Sequence, residues 1–378
     1  MNRLIELLNR KRMRYIATAL VVVFLAVLVI LVYGALERRT YHTYDVVRSL
    51  EKSQSVSQYA YTDAGVVRYS ADGAALIGSK LNQIWNVTYS MSNPQVSVYG
   101  KWILIYDRQG TSFYLFNGKK QQGSFSASLP ILRACVSGSG TVAALLNNGD
   151  KTRMSYYSAT GSVIAEGESS MTDPGYPVAL SLSENGLGLA VSYLTAADGT
   201  VGSTVRFYSF SKNGQKKENN VAAEAAFSGT IIPDLQYIGN ECVLFRDNGF
   251  TVYKGVDNPK QTKNVDFDED IVSVFHDSDY VGFVFRSDSR EHSYRLRLYS
   301  SGGNHRSDQY IDHSYDRVHI CGNEVVFSDT VHFSVYSVKG VCRYQGTISE
   351  GSITDVIGLG RRKMLLVSDS AAELIRLK

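Results

Sequence analysis

The pattern of apolar and polar positions divides the chain into two unlike parts. From Tyr15 to Leu36 no residue is charged. This run has 22 residues, which as a helix is about 33 Å long at about 1.5 Å per residue, enough to cross a bilayer. From about residue 60 onward, short apolar stretches alternate with polar turns, and no long amphipathic pattern occurs. The pattern therefore predicts one transmembrane helix followed by an all-β domain.

A short motif recurs along the second part: a strand ending in an aromatic residue, followed by a turn that contains glycine. Examples are Tyr114–Gly118, Phe207–Gly214 and Val335–Gly340. Successive copies lie roughly 37–51 residues apart, a period typical of four-stranded propeller blades. Upstream of most copies, a short strand and a glycine turn lead into a nearly continuous apolar strand, as at Trp102–Asp107. Such a strand is expected to be buried on both faces, between two neighbouring sheets.

These repeats predict a β-propeller. We expect seven blades, with Gly65–Tyr89 supplying the strand that the last unit lacks, so that the two chain ends share one blade and leave no exposed edge. Eight blades are the alternative, if the amino-terminal strands form a blade of their own. The units that the repeat defines are 93–128, 129–169, 175–220, 230–267, 270–312, 315–349 and 352–378.

Together, the apolar run and the repeats predict four segments along the chain. The linker is polar and has one possible helical stretch, near Val46–Glu51. The segments are a basic cytoplasmic segment over 1–14, a transmembrane helix over 15–36, a linker over 37–58 and an extracytoplasmic propeller over 59–378.

Charge around the apolar run predicts its orientation. Five basic residues precede it (Arg3, Arg10, Lys11, Arg12 and Arg14), against a single acidic residue, Glu6. Because cationic flanks stay in the cytoplasm, the amino terminus is expected inside and the propeller outside the cell membrane. A cleaved signal peptide is the competing interpretation, but its apolar core is usually only about 7–15 residues long. A buried core helix is less consistent still, because such helices usually carry a polar face.

The charge balance of the rest of the chain argues against nucleic acid as a partner. Outside residues 1–14 the chain has 34 Lys and Arg residues and 35 Asp and Glu residues. A protein that binds DNA or RNA needs a surplus of cations on its folded part. The partners expected here are the lipid bilayer, through residues 15–36, and an envelope protein or glycan.

The blade pattern resembles bacterial propellers of the quinoprotein-like and tryptophan–aspartate-repeat-like kinds, as in Ser183-Glu184-Asn185-Gly186 followed by an apolar strand. With the apolar run, the whole layout resembles a domain-of-unknown-function family of single-pass, propeller-bearing membrane proteins in Gram-positive bacteria. The chain has only two tryptophans, Trp85 and Trp102, and so lacks the docking repeat of true quinoproteins. The resemblance therefore implies the fold and the location, but no quinone cofactor and no assigned reaction.

Four cysteines allow a disulfide, but their setting favours another role. Cys135, Cys242, Cys321 and Cys342 are far apart in the sequence, and each lies in or beside an apolar strand pattern. We expect them to be small buried apolar residues.

Two clusters could carry chemistry, and for both a structural role is favoured. In the run 266–270, the carboxylates of Asp266, Asp268 and Asp270 would share one face of a strand and could bind calcium, although a solvated turn between blades fits better. His313 and His319, with Asp312 and Asp316 nearby, could form a metal or acid–base site, although surface or inter-blade packing fits better.

The sequence supports no named catalytic, cofactor-binding or metal-binding residue and no cofactor. No α/β-hydrolase serine motif, phosphate-binding loop or dinucleotide fingerprint is present. We expect a non-catalytic binding or scaffold module. The alternative is an extracytoplasmic polysaccharide hydrolase or lyase with carboxylates at the propeller axis, since such residues converge from different blades and leave no local motif. A sensory or assembly subunit of a membrane complex is a third possibility.

Overall fold

A computed structural model shows, over the residues it describes, 32 strands in eight four-stranded antiparallel sheets. In seven sheets the order of the strands follows the chain, and the eighth sheet combines the first strand with the last three. The structure describes residues 13, 18–29, 34, 38–51, 57–171, 173–197, 199–287, 289, 291–360 and 362–378.

The sheets are numbered as blades 1 to 8 in chain order, and within each blade the first strand named is the innermost. The strands of blades 1 to 4 are β2 (Gln58–Thr62), β3 (Gly65–Ser70), β4 (Gly73–Ile77) and β5 (Gln83–Thr88); β6 (Pro94–Tyr99), β7 (Trp102–Asp107), β8 (Ser112–Asn117) and β9 (Lys120–Ser126); β10 (Ile131–Val136), β11 (Val142–Asn148), β12 (Lys151–Tyr157) and β13 (Val163–Ser170); and β14 (Tyr176–Leu182), β15 (Gly188–Ala197), β16 (Thr200–Ser209) and β17 (Val221–Ser228).

Blades 5 to 7 repeat this order, and blade 8 takes its outermost strand from the amino-terminal side. Two short 3₁₀ turns, Gly214–Lys216 and Glu218–Asn220, precede β17. The remaining strands are β18 (Asp234–Ile238), β19 (Glu241–Arg246), β20 (Gly249–Lys254) and β21 (Lys260–Asp266); β22 (Ile271–His276), β23 (Tyr280–Arg286), β24 (Tyr294–Ser300) and β25 (His305–Ile311); β26 (Arg317–Cys321), β27 (Glu324–Ser328), β28 (His332–Ser337) and β29 (Cys342–Thr347); and β30 (Ile353–Gly358), β31 (Lys363–Ser368), β32 (Ala371–Leu377) and β1 (Tyr44–Glu51).

Apolar packing between blades closes the ring. Eight buried apolar clusters occur, and each lies mainly between two neighbouring blades. One of them joins Val66 and Ile77 of blade 1 to Leu365 and Leu374 of blade 8, so the last blade packs against the first. Each sheet buries its faces against its two neighbours, so the packing of every blade contributes to the stability of the whole ring.

Burial along each blade agrees with the sequence pattern. The second strands are buried almost throughout, as in Trp102–Asp107 and Glu324–Ser328. The outermost strands are exposed or alternate, as in Lys260–Asp266 and Val221–Ser228. The all-β propeller, with its apolar second strands buried between neighbouring sheets, is confirmed.

The number of blades is eight, so the alternative count is confirmed and the preferred count of seven is corrected. Gly65–Tyr89 does not complete the last blade: together with Gln58–Thr62, most of this stretch forms blade 1. The strand that completes blade 8 is Tyr44–Glu51, within the stretch predicted as a linker with a helical part. Because an outermost strand needs little apolar surface, its sequence reads as polar linker.

The first strand is firmly paired with the end of the chain. Tyr44 lies opposite Leu377, and Glu51 lies opposite Ala371. Just before this strand, the N–H of His42 donates to the carbonyl of Lys378 at 2.9 Å. Tyr41 is buried between blades 7 and 8. The chain is therefore part of the propeller from Tyr41 onward.

The predicted membrane helix is described only in part. Residues 18–29 are helical, a stretch of 12 residues. Residues 15–17, 30–33 and 35–36 of the predicted span lie outside the described residues. Within the part of the chain that the structure describes, no helix combines the length and the apolarity needed to cross a bilayer.

The antiparallel order gives the propeller two distinct faces. We call the face where each innermost strand begins the upper face, and the face where each innermost strand ends the lower face. Second and third strands are joined at the upper face, and third and fourth strands at the lower face. Since β1 begins opposite the end of β32, the amino-terminal segment joins blade 8 at the lower face.

Candidate functional site at the propeller axis

Most neighbouring innermost strands contact one another, and together the eight surround the axis. At the lower end of the axis, one side chain reaches across from blade 2 to blade 5. The Tyr99 hydroxyl accepts a hydrogen bond from the N–H of Gly239 at 3.0 Å. Gly239 has a positive φ of 59° at the first position of a two-residue turn, a conformation that glycine adopts without strain. The Tyr99 side chain therefore narrows the lower end of the channel along the axis.

Charged side chains gather around the upper end of the axis on one side of the ring. Arg133, on the innermost strand of blade 3, donates to the carbonyl of Val178 in blade 4 at 2.7 Å. The same guanidinium lies 3.3 Å from Asp234 of blade 5. The side chains of Arg133 and Asp234 are 42% and 46% exposed, so both remain open to solvent. Arg133 therefore links three consecutive blades.

A second charged group lies between blades 7 and 8. Nε2 of His319 lies 2.7 Å from Oδ1 of Asp355, and Nη1 of Arg317 lies 3.9 Å from Oδ2. The N–H of Val356 also donates to Oδ1, at 2.9 Å. The Asp355 side chain is only 3% exposed, whereas His319 is 31% exposed. The carboxylate is thus fully engaged and holds the imidazole and the guanidinium at the axis.

These five residues form what we call the axial cluster: Arg133, Asp234, Arg317, His319 and Asp355. Beside it, a groove of about 300 Å³ runs past Arg317, Asp329 and Thr354 at the upper face. Apolar side chains are also exposed on the innermost strands, with Val272 and Val274 of blade 6 at 41% and 39%. The upper end of the axis therefore offers donors, acceptors and apolar surface to a ligand.

The acidic run 266–270 forms ion pairs between strands and blades. Asp266 lies 2.6 Å from the guanidinium of Arg246, which is buried. Glu269 binds the guanidinium of Arg297 with both oxygens, at 2.5 and 3.1 Å. No group of three or more His, Cys, Asp or Glu residues suited to a metal occurs in the described part of the chain.

The predicted histidine cluster is not assembled. His313 bonds to the Ser334 hydroxyl at 2.7 Å, and Asp312 pairs with His292. His319 instead meets Asp355, which lies 36 residues further along the chain. Neither Asp355 nor the pair of Arg133 and Asp234 was found from the sequence, because their proximity depends on how consecutive blades pack.

Three of the four cysteines are buried as predicted, and Cys342 is only half-buried. None of the four forms a disulfide, and Cys135, Cys242 and Cys321 are buried. Burial raises the pKa of the Cys135 and Cys321 thiols to about 12. Thiols held neutral in apolar surroundings are poor nucleophiles, so these three act as packing residues.

The two faces of the propeller carry opposite charge. On the lower face, exposed basic side chains at turns and strand ends outnumber acidic ones among the described residues. The basic ones are Lys80, Lys101, Lys119, Lys120, Lys212, Lys216, Lys217, Lys254, Lys260, Lys339 and Lys378. The acidic ones are Asp45, Asp63, Glu184, Glu218 and Asp279.

On the upper face the excess is reversed. Its exposed acidic side chains at turns and strand ends are Asp72, Asp150, Asp173, Asp247, Asp266, Asp268, Asp270, Glu291, Asp312, Asp316, Glu350 and Asp369. The exposed basic ones described there are Arg108, Lys151, Arg286 and Arg317. The nearly neutral propeller therefore has a strong charge difference from one face to the other, which its overall composition conceals.

Comparison with known families places the chain. A protein-family model matches residues 37–377 of the chain, which include every strand of the propeller. The chain belongs to a family of unknown function, DUF5711. Membership in DUF5711 confirms the resemblance to an uncharacterised family with a propeller fold; the single-pass anchor and the Gram-positive source stay predictions. A comparison with curated protein sequences finds no match.

Solved structures support the fold alone. The computationally designed Ika8 protein is similar with a TM-score of 0.55 at 11% identity, over 88% of this chain and 99% of its own. Sqt1 from Chaetomium thermophilum has a TM-score of 0.54 at 11% identity, over 89% and 98% of the two chains. AztD from Citrobacter koseri has a TM-score of 0.51 at 8% identity, over 78% and 87%.

Proposed function

We propose that this chain is a membrane-anchored binding module that holds a protein or glycan partner at the upper end of the propeller axis without converting it. The observation that carries the proposal is the axial cluster. Its charged groups come from blades 3, 5, 7 and 8, and they are held in place by bonds to one another and to the backbone. Polar groups that are already oriented on a rigid scaffold suit recognition, because little ordering is needed on binding.

The anchor in this proposal is the uncharged run from Tyr15 to Leu36, with the amino terminus in the cytoplasm. The full chain is expected to resist extraction from membranes by alkaline carbonate. Replacing Val22 and Leu25 by arginine in one variant is expected to release it, since a charge at the bilayer centre costs about 2.5–3.5 kcal/mol on insertion scales. Val163→Arg is the control, because Val163 is 55% exposed on an outermost strand. A wild-type chain that carbonate extracts would overturn the anchor.

The binding role is tested by photo-crosslinking in cells of the organism that makes the protein. A photoreactive amino acid at Val272, beside the axis, is expected to give one adduct of defined mass, and the same group at Val163 is expected to give no adduct with a protein or glycan. Arg133→Ala is expected to reduce the Val272 adduct at least tenfold. Equal crosslinking at both positions, or an adduct unaffected by Arg133→Ala, would contradict binding at the axis.

The pair of His319 and Asp355 gives specific support to a second candidate, a polysaccharide hydrolase or lyase. A histidine 2.7 Å from a carboxylate is a geometry suited to proton transfer. Against this, glycoside hydrolysis usually uses two carboxylates flanking the bond, whereas among the described residues the partners of Asp355 are His319, Arg317 and a backbone N–H, with no second carboxylate. Turnover of purified envelope polysaccharide by the wild-type chain, lost in His319→Gln, would replace the binding proposal with this one.

A further inference from the structure

We infer that the lower face of the propeller docks on anionic lipid headgroups, so that the upper face points away from the membrane. This inference rests on the proposed anchoring and adds an orientation and a lipid chemistry to it. It follows from two independent observations: where the chain joins the ring, and how charge is distributed over the two faces.

The attachment point is on the lower face. His42 and Thr43 donate to the carbonyl of Lys378, and the N–H of Lys378 donates to Thr43. Tyr41 is held by a hydrogen bond to the carbonyl of Arg343 and by the apolar contact between blades 7 and 8. The ordered propeller thus begins directly at its lower rim.

The distance to the proposed membrane helix is short. Between Leu36 and Tyr41 there are four residues. Such a segment spans at most about 18 Å when fully extended. With its rim this close to the helix, the propeller has little freedom to turn its upper face toward the bilayer.

Charge on the lower face suits an anionic surface. The loop before β17 carries Lys212, Lys216 and Lys217, the turn between β8 and β9 carries Lys119, and Lys120 begins β9. Each lysine close to an anionic leaflet is attracted to it, and the attraction decays over a Debye length of about 8–10 Å. These lysines come from blades 2 and 4. The lipid therefore attracts two separate parts of the lower face, which favours an orientation with that face parallel to the membrane.

The acidic upper face reinforces this orientation. Its carboxylates, at turns from Asp72 in blade 1 to Asp369 in blade 8, would be repelled by the same lipids. The axial cluster opens on this face, so the docked orientation leaves it accessible to a partner. Lipid headgroups are the occupant that the charge pattern selects, because a general apolar contact would need exposed apolar side chains, and the lysine-rich loops have few.

Lysine footprinting of the full chain in lipid nanodiscs tests the inference. Nanodiscs made of phosphatidylcholine alone are compared with nanodiscs containing 30% phosphatidylglycerol, and acetylation rates are read by mass spectrometry. With phosphatidylglycerol, Lys119, Lys212 and Lys216 are expected to react at least threefold more slowly, and 0.5 M salt is expected to restore their rates. Lys151, exposed on the upper face, is the internal control and should react equally in both.

A matched pair of variants assigns the effect to charge. Reversal of Lys212 and Lys216 to glutamate is expected to abolish the protection of Lys119, whereas Lys151→Glu should leave it unchanged. Protection that is equal in both lipid compositions, or absent from both, would overturn docking while leaving the anchor intact. A chain that fails to co-elute with nanodiscs of either composition would overturn the proposed anchor, and docking with it.

Discussion

The Tyr99 hydroxyl and the Gly239 N–H, on blades 2 and 5, are joined by a hydrogen bond of 3.0 Å across the lower end of the axis. Tyr99→Phe removes the acceptor and leaves the Gly239 N–H without it in a half-buried site. We expect a loss of about 1–3 kcal/mol in the free energy of unfolding, measured by urea denaturation.

Tyr237→Phe is the matched control for that substitution, because it also deletes a single hydroxyl. Tyr237 is almost fully buried, and its hydroxyl has no hydrogen-bond partner among the described residues. Removing an unsatisfied polar atom is expected to leave stability unchanged or to raise it by about 1 kcal/mol. Equal losses in the two variants would contradict the bond across the axis.

Closure of the ring by β1 can be trapped covalently. Asp45 and Arg376 lie directly opposite each other on β1 and β32, where Cα atoms of paired strands are about 4.5–5.5 Å apart. Asp45→Cys combined with Arg376→Cys is therefore expected to form a disulfide under mild oxidation, visible as faster migration on a non-reducing gel.

The control for this crosslink keeps Asp45→Cys and moves the second cysteine to Glu373. Glu373 lies on the same strand but pairs with Ser49, so its Cα is too far from position 45 to be bridged. If the two double variants crosslink to the same extent, β1 is not held in this register and the eighth blade is not closed as described.

Asp355 is expected to hold the His319 and Arg317 side chains in place and to stabilise the fold. Asp355→Ala removes the partner of His319 and the acceptor for the Val356 N–H, and it leaves the Arg317 guanidinium without its counter-charge. We expect a loss of about 1–3 kcal/mol in the free energy of unfolding. Asp150→Ala, at an exposed turn of the upper face, should change it by less than about 0.5 kcal/mol. A neutral Asp355→Ala would show that the cluster is loosely held.

Stability is expected to fall at alkaline pH. Burial raises the pKa of Tyr89, Tyr193, Tyr237 and Tyr336 above the usual value near 10. Above pH 10 the unfolded chain loses protons that the folded protein retains. The stability that these groups contribute is therefore complete below about pH 10 and is lost as pH rises toward their folded pKa values.

Urea denaturation at a series of pH values measures this effect. The buried thiols of Cys135 and Cys321, whose pKa is about 12, should begin the decline near pH 9. Tyr237→Phe should make the decline shallower, by up to about 1.4 kcal/mol per pH unit for one proton. A free energy of unfolding that stays constant from pH 8 to 11 would show that these side chains are not buried as described.

Much of the fold can be read from the sequence, because each blade carries its own signal. The buried second strands, such as Trp102–Asp107, are apolar on both sides, and the glycine turns fall at a regular period. The sequence pattern assigns β1 to a linker for a physical reason. An outermost strand such as Tyr44–Glu51 has a neighbouring strand along one edge only and needs few apolar residues. Its sequence therefore resembles that of a polar linker.

The candidate site could not be read in the same way. The sequence pattern singles out His319 together with Asp312 and Asp316, but its partner is Asp355, through the packing of blade 7 against blade 8. Arg133 and Asp234 are 101 residues apart in the chain. The charge difference between the faces is likewise invisible to overall composition, because turns on opposite faces alternate along the sequence and their charges nearly cancel.

A cryo-electron microscopy structure of the full chain in a nanodisc containing anionic lipid would show the number of blades and the orientation of the propeller together. We expect a closed ring of eight sheets, with the turns at Lys119 and Lys212 facing the bilayer and the axial cluster facing away from it. A ring of seven sheets, or a propeller whose axial cluster faces the lipid, would contradict this expectation.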